Sequence, residues 1–314
     1  MADYICIDGG TTNTRLRLVR SGAIVDTKKL SLGAGAGKEG IPLLEAGIKA
    51  AIASLLAENG LTERDVCRIL ASGMITSEYG LRELKHAPLP AGLRELHDAM
   101  EEVLFPQISS IPFVFLRGLK AQGKTVARTD IMRGEETELM GILGLTGGSE
   151  GVYILPGSHS KTVFTDPEGR ITDFFTTMTG EMLSALSCHT ILKHSVDLEQ
   201  GTLSEDALLA GYDCCLSEGL PKALFKVRIC DTVYRKGQAS LYSFFLGVVL
   251  CEEITQILKT QPKRIVLGGR QQLREAMYRI LSRRSQIETL CLPEETVDSC
   301  VCLGAVRIYE YKGE

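Results

Sequence analysis

The sequence predicts an α/β protein of two domains, each a copy of one pattern. Three observations carry this. The chain has 314 residues, more than a single domain of ~100–200 residues ordinarily holds. A short apolar strand, Tyr4-Ile5-Cys6-Ile7, runs into Asp8-Gly9-Gly10-Thr11-Thr12 near the start. A second, Val152-Tyr153-Ile154-Leu155, runs into Pro156-Gly157-Ser158-His159-Ser160-Lys161 near the middle.

The elements around the two turns follow in the same order. After the first, Arg15–Val19 reads as a strand, Ser21-Gly22 as a tight turn and Ala23–Leu30 as a third strand. Leu43–Leu56 then has helical spacing, with Asn59-Gly60 as its stop. After the second, Thr162–Thr165 continues as a strand, Asp166-Pro167-Glu168-Gly169 turns, Arg170–Phe175 forms the third strand and a helix begins near Gly180. One pattern met twice is the mark of internal duplication, and two such halves are what an actin-like ATPase fold requires. The expected architecture is two ribonuclease-H-like (actin-like ATPase) domains with an interdomain active-site cleft. Residues 1–150 would carry the first phosphate turn and the substrate side, and residues 151–314 the second phosphate turn and the adenosine side.

Bulk properties narrow the function. Hydrophobic residues make up 44% of the chain, enough for two cores, and the formal charge is −4. Nucleic-acid and anionic-membrane surfaces need concentrated Lys and Arg, and no long basic run is present, so neither partner is expected. Met1-Ala2-Asp3 leads into the first strand without signal-peptide features. The longest apolar run, Leu241 to Cys251, is closed by Glu252-Glu253. It is shorter than the ~20 residues a membrane span needs and reads as a buried helix. The 10 cysteines lack paired CxxC spacing and read as reduced thiols of a cytoplasmic protein.

The turns suit a nucleoside triphosphate. Gly9 and Gly10 let the backbone come close, Thr11 and Thr12 add hydroxyls, and Asp8 is placed to hold a magnesium-bound water. Gly157, Ser158 and Ser160 repeat the arrangement, with Lys161 beside them. Arg264–Leu267 is a strand ending in Gly268-Gly269 before the helical stretch Gln271–Leu281, an element suited to adenine or ribose. Two other motifs are set aside. Gly118 to Thr125 fits the Walker A pattern, but Val126-Ala127-Arg128-Thr129-Asp130 is a poor helix start, so an interdomain loop is expected there rather than a P-loop using Lys124. Gly35-Ala36-Gly37-Lys38-Glu39-Gly40 fits GxGxxG after the third strand of a meander, not the first of a βαβ unit, and is expected to be a mobile loop near the substrate.

The residues also carry a family resemblance. Ile131 to Gly141 (IMRGEETELMG), Leu155 to Lys161 (LPGSHSK) and Asp173 to Glu181 (DFFTTMTGE) resemble signatures of 2-keto-3-deoxygalactonate kinases. Asp8 to Asn13 and Leu303-Gly304-Ala305 match in place and order, so the resemblance spans essentially the whole chain. It implies transfer of the ATP γ-phosphate, with Mg²⁺, to the 6-hydroxyl of 2-keto-3-deoxygalactonate. A homodimer is expected from the habit of the class. The chain departs from the pattern at Gly9, where an aromatic residue is usual, at Ser158 for Thr and at Thr162 for Trp.

Phosphoryl transfer to a hydroxyl needs a carboxylate to take the proton. Related carbohydrate kinases place it in a Gly-acid turn opening a helix, a little over twenty residues before the second phosphate turn. Gly134-Glu135 stands at that spacing from Gly157, which makes Glu135 the first candidate base and Glu136 the second. Arg133 is a candidate for the substrate carboxylate, and Asn13, Arg15, Thr179 and Glu181 are further substrate-side candidates. A kinase for the 2-keto-3-deoxygluconate epimer, a P-loop NTPase and a non-enzymatic sugar sensor remain as alternatives. The sensor reading lacks room for a DNA-binding module before the first strand.

Overall fold

The structure, a computed structural model, describes residues 2–199 and 201–313. They divide into two compact units. The first holds the chain through Glu150, Thr165–Asp173 and the residues from Glu294 onward; the second holds Gly151–Phe164 and Phe174–Pro293.

In the first unit β1 (Asp3–Gly9), β2 (Thr14–Arg20) and β3 (Ala23–Leu30) form the expected meander, followed by α1 (Ile41–Glu58) and β4 (Val66–Gly73). Asn59 ends α1 by donating its side-chain amide to the Leu55 carbonyl, 2.8 Å, and to Asp26, 2.7 Å. The chain continues through β5 (Ala87–Pro88), α2 (Leu93–Asp98), β6 (Glu101–Val103), β7 (Phe113–Phe115), β8 (Leu119–Gln122), β9 (Thr129–Met132) and α3 (Glu135–Thr146). The main sheet has the order β3-β2-β1-β4-β7-β6, with β1 antiparallel to β2 and parallel to β4. Ile5, Ile7, Leu16 and Leu18 bury one sheet face against Leu44, Ile48, Ile52 and Leu55 of α1.

The second unit repeats this order. Its strands are β10 (Gly151–Leu155), β11 (Ser160–Thr165) and β12 (Ile171–Thr177), with Thr165 and Ile171–Asp173 counted in the first unit, followed by the helices α4 (Thr179–His189), α5 (Glu205–Glu218), α6 (Leu220–Thr232) and α7 (Gln238–Lys259). Then come β13 (Arg264–Leu267), α8 (Gln271–Arg284) and β14 (Glu288–Cys291). The sheet order is β12-β11-β10-β13-β14. A meander, a helical crossover and two further strands laid parallel on the far side of the first strand are the ribonuclease-H-like topology in both units, as the duplication predicts; in the first unit β6 adds an antiparallel edge. α7 is long and apolar enough to cross a membrane, but most of that stretch is buried inside the unit. Its Phe245, Val248 and Leu250 are core residues, as expected for the Leu241–Cys251 run.

The two units differ from the expected division at 150/151 in two segments, Thr165–Asp173 and the residues from Glu294 onward. The last helix, α9 (Glu294–Tyr309), belongs to the first unit. It crosses α3 at two glycines: a Cβ on Gly141 would lie 2.0 Å from the Cys300 carbonyl oxygen, and one on Gly304 2.0 Å from that of Thr137. Arg307 adds a 2.8 Å hydrogen bond to the Met140 carbonyl. The Walker-like stretch is also not an interdomain loop. It forms β8 and the turn to β9 within a three-stranded sheet of order β5-β8-β9, and no helix starts at Lys124.

Candidate active site

In the first unit the site grows from the ends of β1 and β4. Gly9 and Gly73 are neighbours across this parallel pair. A Cβ on Gly9 would meet Ile75 Cβ at 2.7 Å, and one on Gly73 would meet the Gly9 carbonyl oxygen at 2.5 Å. Gly134 in turn approaches the Gly73 Cα, with a Cβ expected at 3.2 Å. Gly73 and Gly134 also have φ of 79° and 110°, where a side chain is strained. The three glycines bring the Asp8 strand end and the Glu135 turn together, and Gly9 has no room for the aromatic residue usual in the family.

Asp8 is densely surrounded yet partly accessible. Its carboxylate has no hydrogen-bond or ion-pair partner among the described residues. Burial pushes its pKa up, Arg15 and Arg17 pull it down, and Glu135 and Asp298 push it up further. Arg15 lies opposite Asp8 on the hairpin. Arg15 reaches Asp298 of α9 at 3.5 Å, and the buried Arg17 reaches it at 2.6 Å. Sequence reasoning missed Arg17 and Asp298. Arg17 shares its β2 face with the exposed Arg15, opposite Leu16 and Leu18, so the alternation along the strand did not mark it as buried.

The turn itself is partly self-contained. The Gly10 N–H donates to the Asn13 carbonyl, 2.8 Å, and the Asn13 amide to Thr12 Oγ1, 2.9 Å, while Thr11 and Thr12 are exposed. The loop expected to be mobile is fastened here. Ala34 N donates to Gly10 O, 3.1 Å, and Gly35 N to Thr11 O, 2.7 Å, and the backbones lie too close for a side chain at Gly33.

At the start of α3 the two glutamates separate. Glu135 is partly exposed and accepts from the Arg133 N–H at 3.0 Å. Glu136 is fully buried; it accepts from the Gly134 N–H at 2.8 Å and from the Thr137 hydroxyl at 3.1 Å. Burial and the nearby Glu135 push its pKa up to about 7. Glu136 therefore does not present a carboxylate to solvent. Arg133 is also reassigned: its guanidinium donates to the Thr76 carbonyl, 2.7 Å, the Leu84 carbonyl, 2.9 Å, and His86 Nε2, 3.3 Å. It braces the segment from Thr76 to His86 instead of waiting for a substrate carboxylate. Burial, Arg133 and Lys120 lower the His86 pKa to about 4, so it accepts as the neutral ring.

In the second unit the Pro156–Ser160 turn is walled by α4. A Cβ on Gly180 would lie 2.1 Å from the Gly157 carbonyl oxygen, and Glu181 N donates to Ser158 O at 3.0 Å. Ser158 and His159 are exposed, and His159 Nε2 meets Glu181 at 3.0 Å. Ser160 and Thr179 are buried and turned inward, where Ser160 donates to Glu253 of α7, so neither offers its hydroxyl to a phosphate or sugar. Lys161 is buried as well. Gly268-Gly269 sits directly behind the turn: Gly268 N donates to Ile154 O, 2.9 Å, and Arg270 N to Pro156 O, 2.6 Å. Thr162 is buried with a hydroxyl that has no partner among the described residues.

Residues 8–305 match the family model described as 2-keto-3-deoxy-galactonokinase. The chain belongs to that family. A 2-dehydro-3-deoxygalactonokinase of Escherichia coli is 27% identical to this kinase over 261 residues, covering 82% of this chain and 80% of the relative. Among solved structures, a Sinorhizobium meliloti protein named for the same activity superposes with a TM-score of 0.78 at 24% identity, covering 98% of this chain and all of that one. The activator of 2-hydroxyisocaproyl-CoA dehydratase from Clostridium difficile, solved with ADPNP, matches at a TM-score of 0.53 and 14% identity, over 97% of this chain and 93% of that one. These likenesses show the actin-like ATPase fold of the kinase.

Proposed function

We propose that the chain transfers the γ-phosphoryl group of ATP to the 6-hydroxyl of 2-keto-3-deoxy-D-galactonate, giving 2-keto-3-deoxy-6-phosphogalactonate in the cytoplasm. Family membership supports the reaction class and the substrate. The observation in this chain that carries the reading is the approach of Asp8 and the Glu135 turn through Gly9, Gly73 and Gly134. Glu135 is the general base: its carboxylate is accessible in the first turn of α3. Glu136 holds the Gly134 turn from beneath.

Asp8 fits a role in holding Mg²⁺, because its accessible carboxylate is densely surrounded and lacks a side-chain partner. Mg²⁺, when bound, neutralises phosphate charge. Thr11 and Thr12 offer exposed hydroxyls, and Gly157 and Ser158 offer an open, exposed stretch of turn. The Gly268-Gly269 turn, tied to Pro156, is the adenosine-side element. An ADPNP-bound relative of the same fold supports the nucleotide.

The test is ADP release by purified protein with Mg-ATP and 2-keto-3-deoxygalactonate, beside the gluconate epimer at equal concentration. Turnover on the first alone is the expected result. Preference for the epimer would move the substrate, since one hydroxyl contact can decide between epimers; no turnover on either would overturn the reading.

A further inference from the structure

We infer that Glu253 is a positioning residue for the nucleotide phosphates, acting through the Pro156–Ser160 turn. The inference rests on the proposed assignment of that turn to phosphate binding. Glu253 lies in the middle of α7, far along the chain from the turn, and is 2% exposed. Its carboxylate accepts the Ser160 hydroxyl at 2.5 Å and the Thr177 hydroxyl at 2.9 Å. Thr177 shares a 2.8 Å hydroxyl contact with Thr179.

These three residues are not scattered. Ser160 is the first residue of β11, Thr177 the last of β12 and Thr179 the first of α4. One carboxylate therefore fastens the chain ends that frame the turn. The fastening is passed on by contact. Gly180 and Glu181, next after Thr179, touch the turn directly: Gly180 lies against the Gly157 carbonyl, and the Glu181 N–H donates to the Ser158 carbonyl. A shift of α4 or of the β11 start is thus a shift of Gly157 and Ser158.

The chemistry of the node argues for position over packing. The groups that pull the Glu253 pKa down against its burial are hydroxyls, with no cation among them. A buried carboxylate held by hydroxyls alone is costly, and an apolar side chain would fill the same space more cheaply. Several donors converging on one acceptor, by contrast, admit one arrangement of the strands and helix around it. Phosphate binding needs that rigidity, because preformed donors act without reorganising.

The test uses the full chain and separates nucleotide from sugar. ADP binding is measured by titration calorimetry, and KM is measured for ATP and for the sugar acid. Glu253→Gln, which replaces an acceptor oxygen by a donor, is expected to weaken ADP binding and raise KM for ATP roughly tenfold, leaving KM for the sugar acid unchanged. Thr177→Val removes one donor and should shift the same quantities by roughly threefold. A wild type that binds no ADP would remove the assignment of the turn itself. A wild type that binds ADP, with Glu253→Gln binding as tightly, would overturn this inference alone. Equal loss of sugar and nucleotide affinity would also overturn it, since that is the mark of a loosened fold. Should Glu253→Gln not fold, Thr177→Val and Ser160→Ala decide: unchanged ADP binding in both sinks the idea.

Discussion

The turn at Asp8–Thr14 and the turn at Pro156–Ser160 follow the same strand order but treat charge in opposite ways. At the first, the acidic side chain is reachable: Asp8 is partly accessible and has no hydrogen-bond partner among the described residues, and Thr11 and Thr12 are exposed. Its backing is three glycines with no room for side chains. At the second, the acidic group is inside. Glu253 is buried, and Ser160 and Thr179 turn their hydroxyls inward, leaving Gly157, Ser158 and His159 at the surface. Two copies of one scaffold have thus divided the work: one presents a carboxylate, and the other presents a backbone held by a hidden carboxylate.

The strongest way to break this comparison is to remove the presented charge of the first unit. Glu135→Gln is expected to lower kcat by roughly 10²–10⁴-fold, the usual contribution of a general base, while ADP binding stays at its wild-type strength. Single-turnover kinetics and calorimetry on the same protein check both halves. A variant with near-normal kcat would show that the exposed acid does no chemistry.

Glu136 sharpens the contrast between exposed and buried acids within one helix turn. Its pKa is raised from 4.5 to about 7 in the folded chain. The folded state then binds the proton more tightly than the unfolded state. Stability from this group is greatest below about pH 4.5 and is lost as pH rises through about 7, by up to ~3 kcal/mol. His86, lowered to about 4, works in the opposite sense: its contribution is present above about pH 6.5 and is lost as pH falls toward 4. Glu136→Gln should therefore remove only the first trend. Urea midpoints at pH 5 and pH 8 should fall less for the variant than for wild type; parallel changes would contradict the burial of this carboxylate.

The difference between the two turns also marks what the sequence could convey. The repeated meander was legible because apolar runs and Gly-rich turns are local signals, and each of the two larger sheets contains it, as β3-β2-β1 and β12-β11-β10. The helix opening at Gly134-Glu135 was legible from its Gly-acid turn. Which of two adjacent glutamates would be buried was not, because α3 carries apolar residues on much of its surface and packs closely on α9. The surroundings of Ser160 and Arg133 were not legible because each is satisfied by a distant partner, Glu253 or the Thr76–His86 segment, and those of Thr179 because its neighbour Thr177 is itself bonded to Glu253. The return of α9 to the first unit was hidden in the same way, since its glycine contacts with α3 link residues far apart in the chain.

The two turn glycines give a matched pair. Gly9→Ala would place a Cβ 2.7 Å from Ile75 Cβ, whereas at Gly157 a Cβ would meet nothing closer than His159 O at 3.9 Å. Overpacking of the first kind costs about 1–3 kcal/mol, and a surface change of the second kind stays within about 0.5 kcal/mol. Thermal unfolding should separate the two variants accordingly. Gly157→Ala should instead raise KM for ATP, because the open space there is what the reading gives to phosphate. Equal stability losses would mean that both glycines serve packing and that the second turn is no more open than the first.

The smallest effect is expected at the surface contact between His159 and Glu181 beside the second turn. His159 and Glu181 meet at 3.0 Å, but both side chains are about half exposed. Water and salt screen such pairs, which typically contribute less than about 0.5 kcal/mol. The backbone bond from Glu181 N to Ser158 O survives the loss of either side chain. Glu181→Gln should therefore leave the unfolding midpoint nearly unchanged at low and at high salt. A loss above about 1 kcal/mol would show that the turn is held from its surface, and the contrast with the openly presented Asp8 would then have to be redrawn.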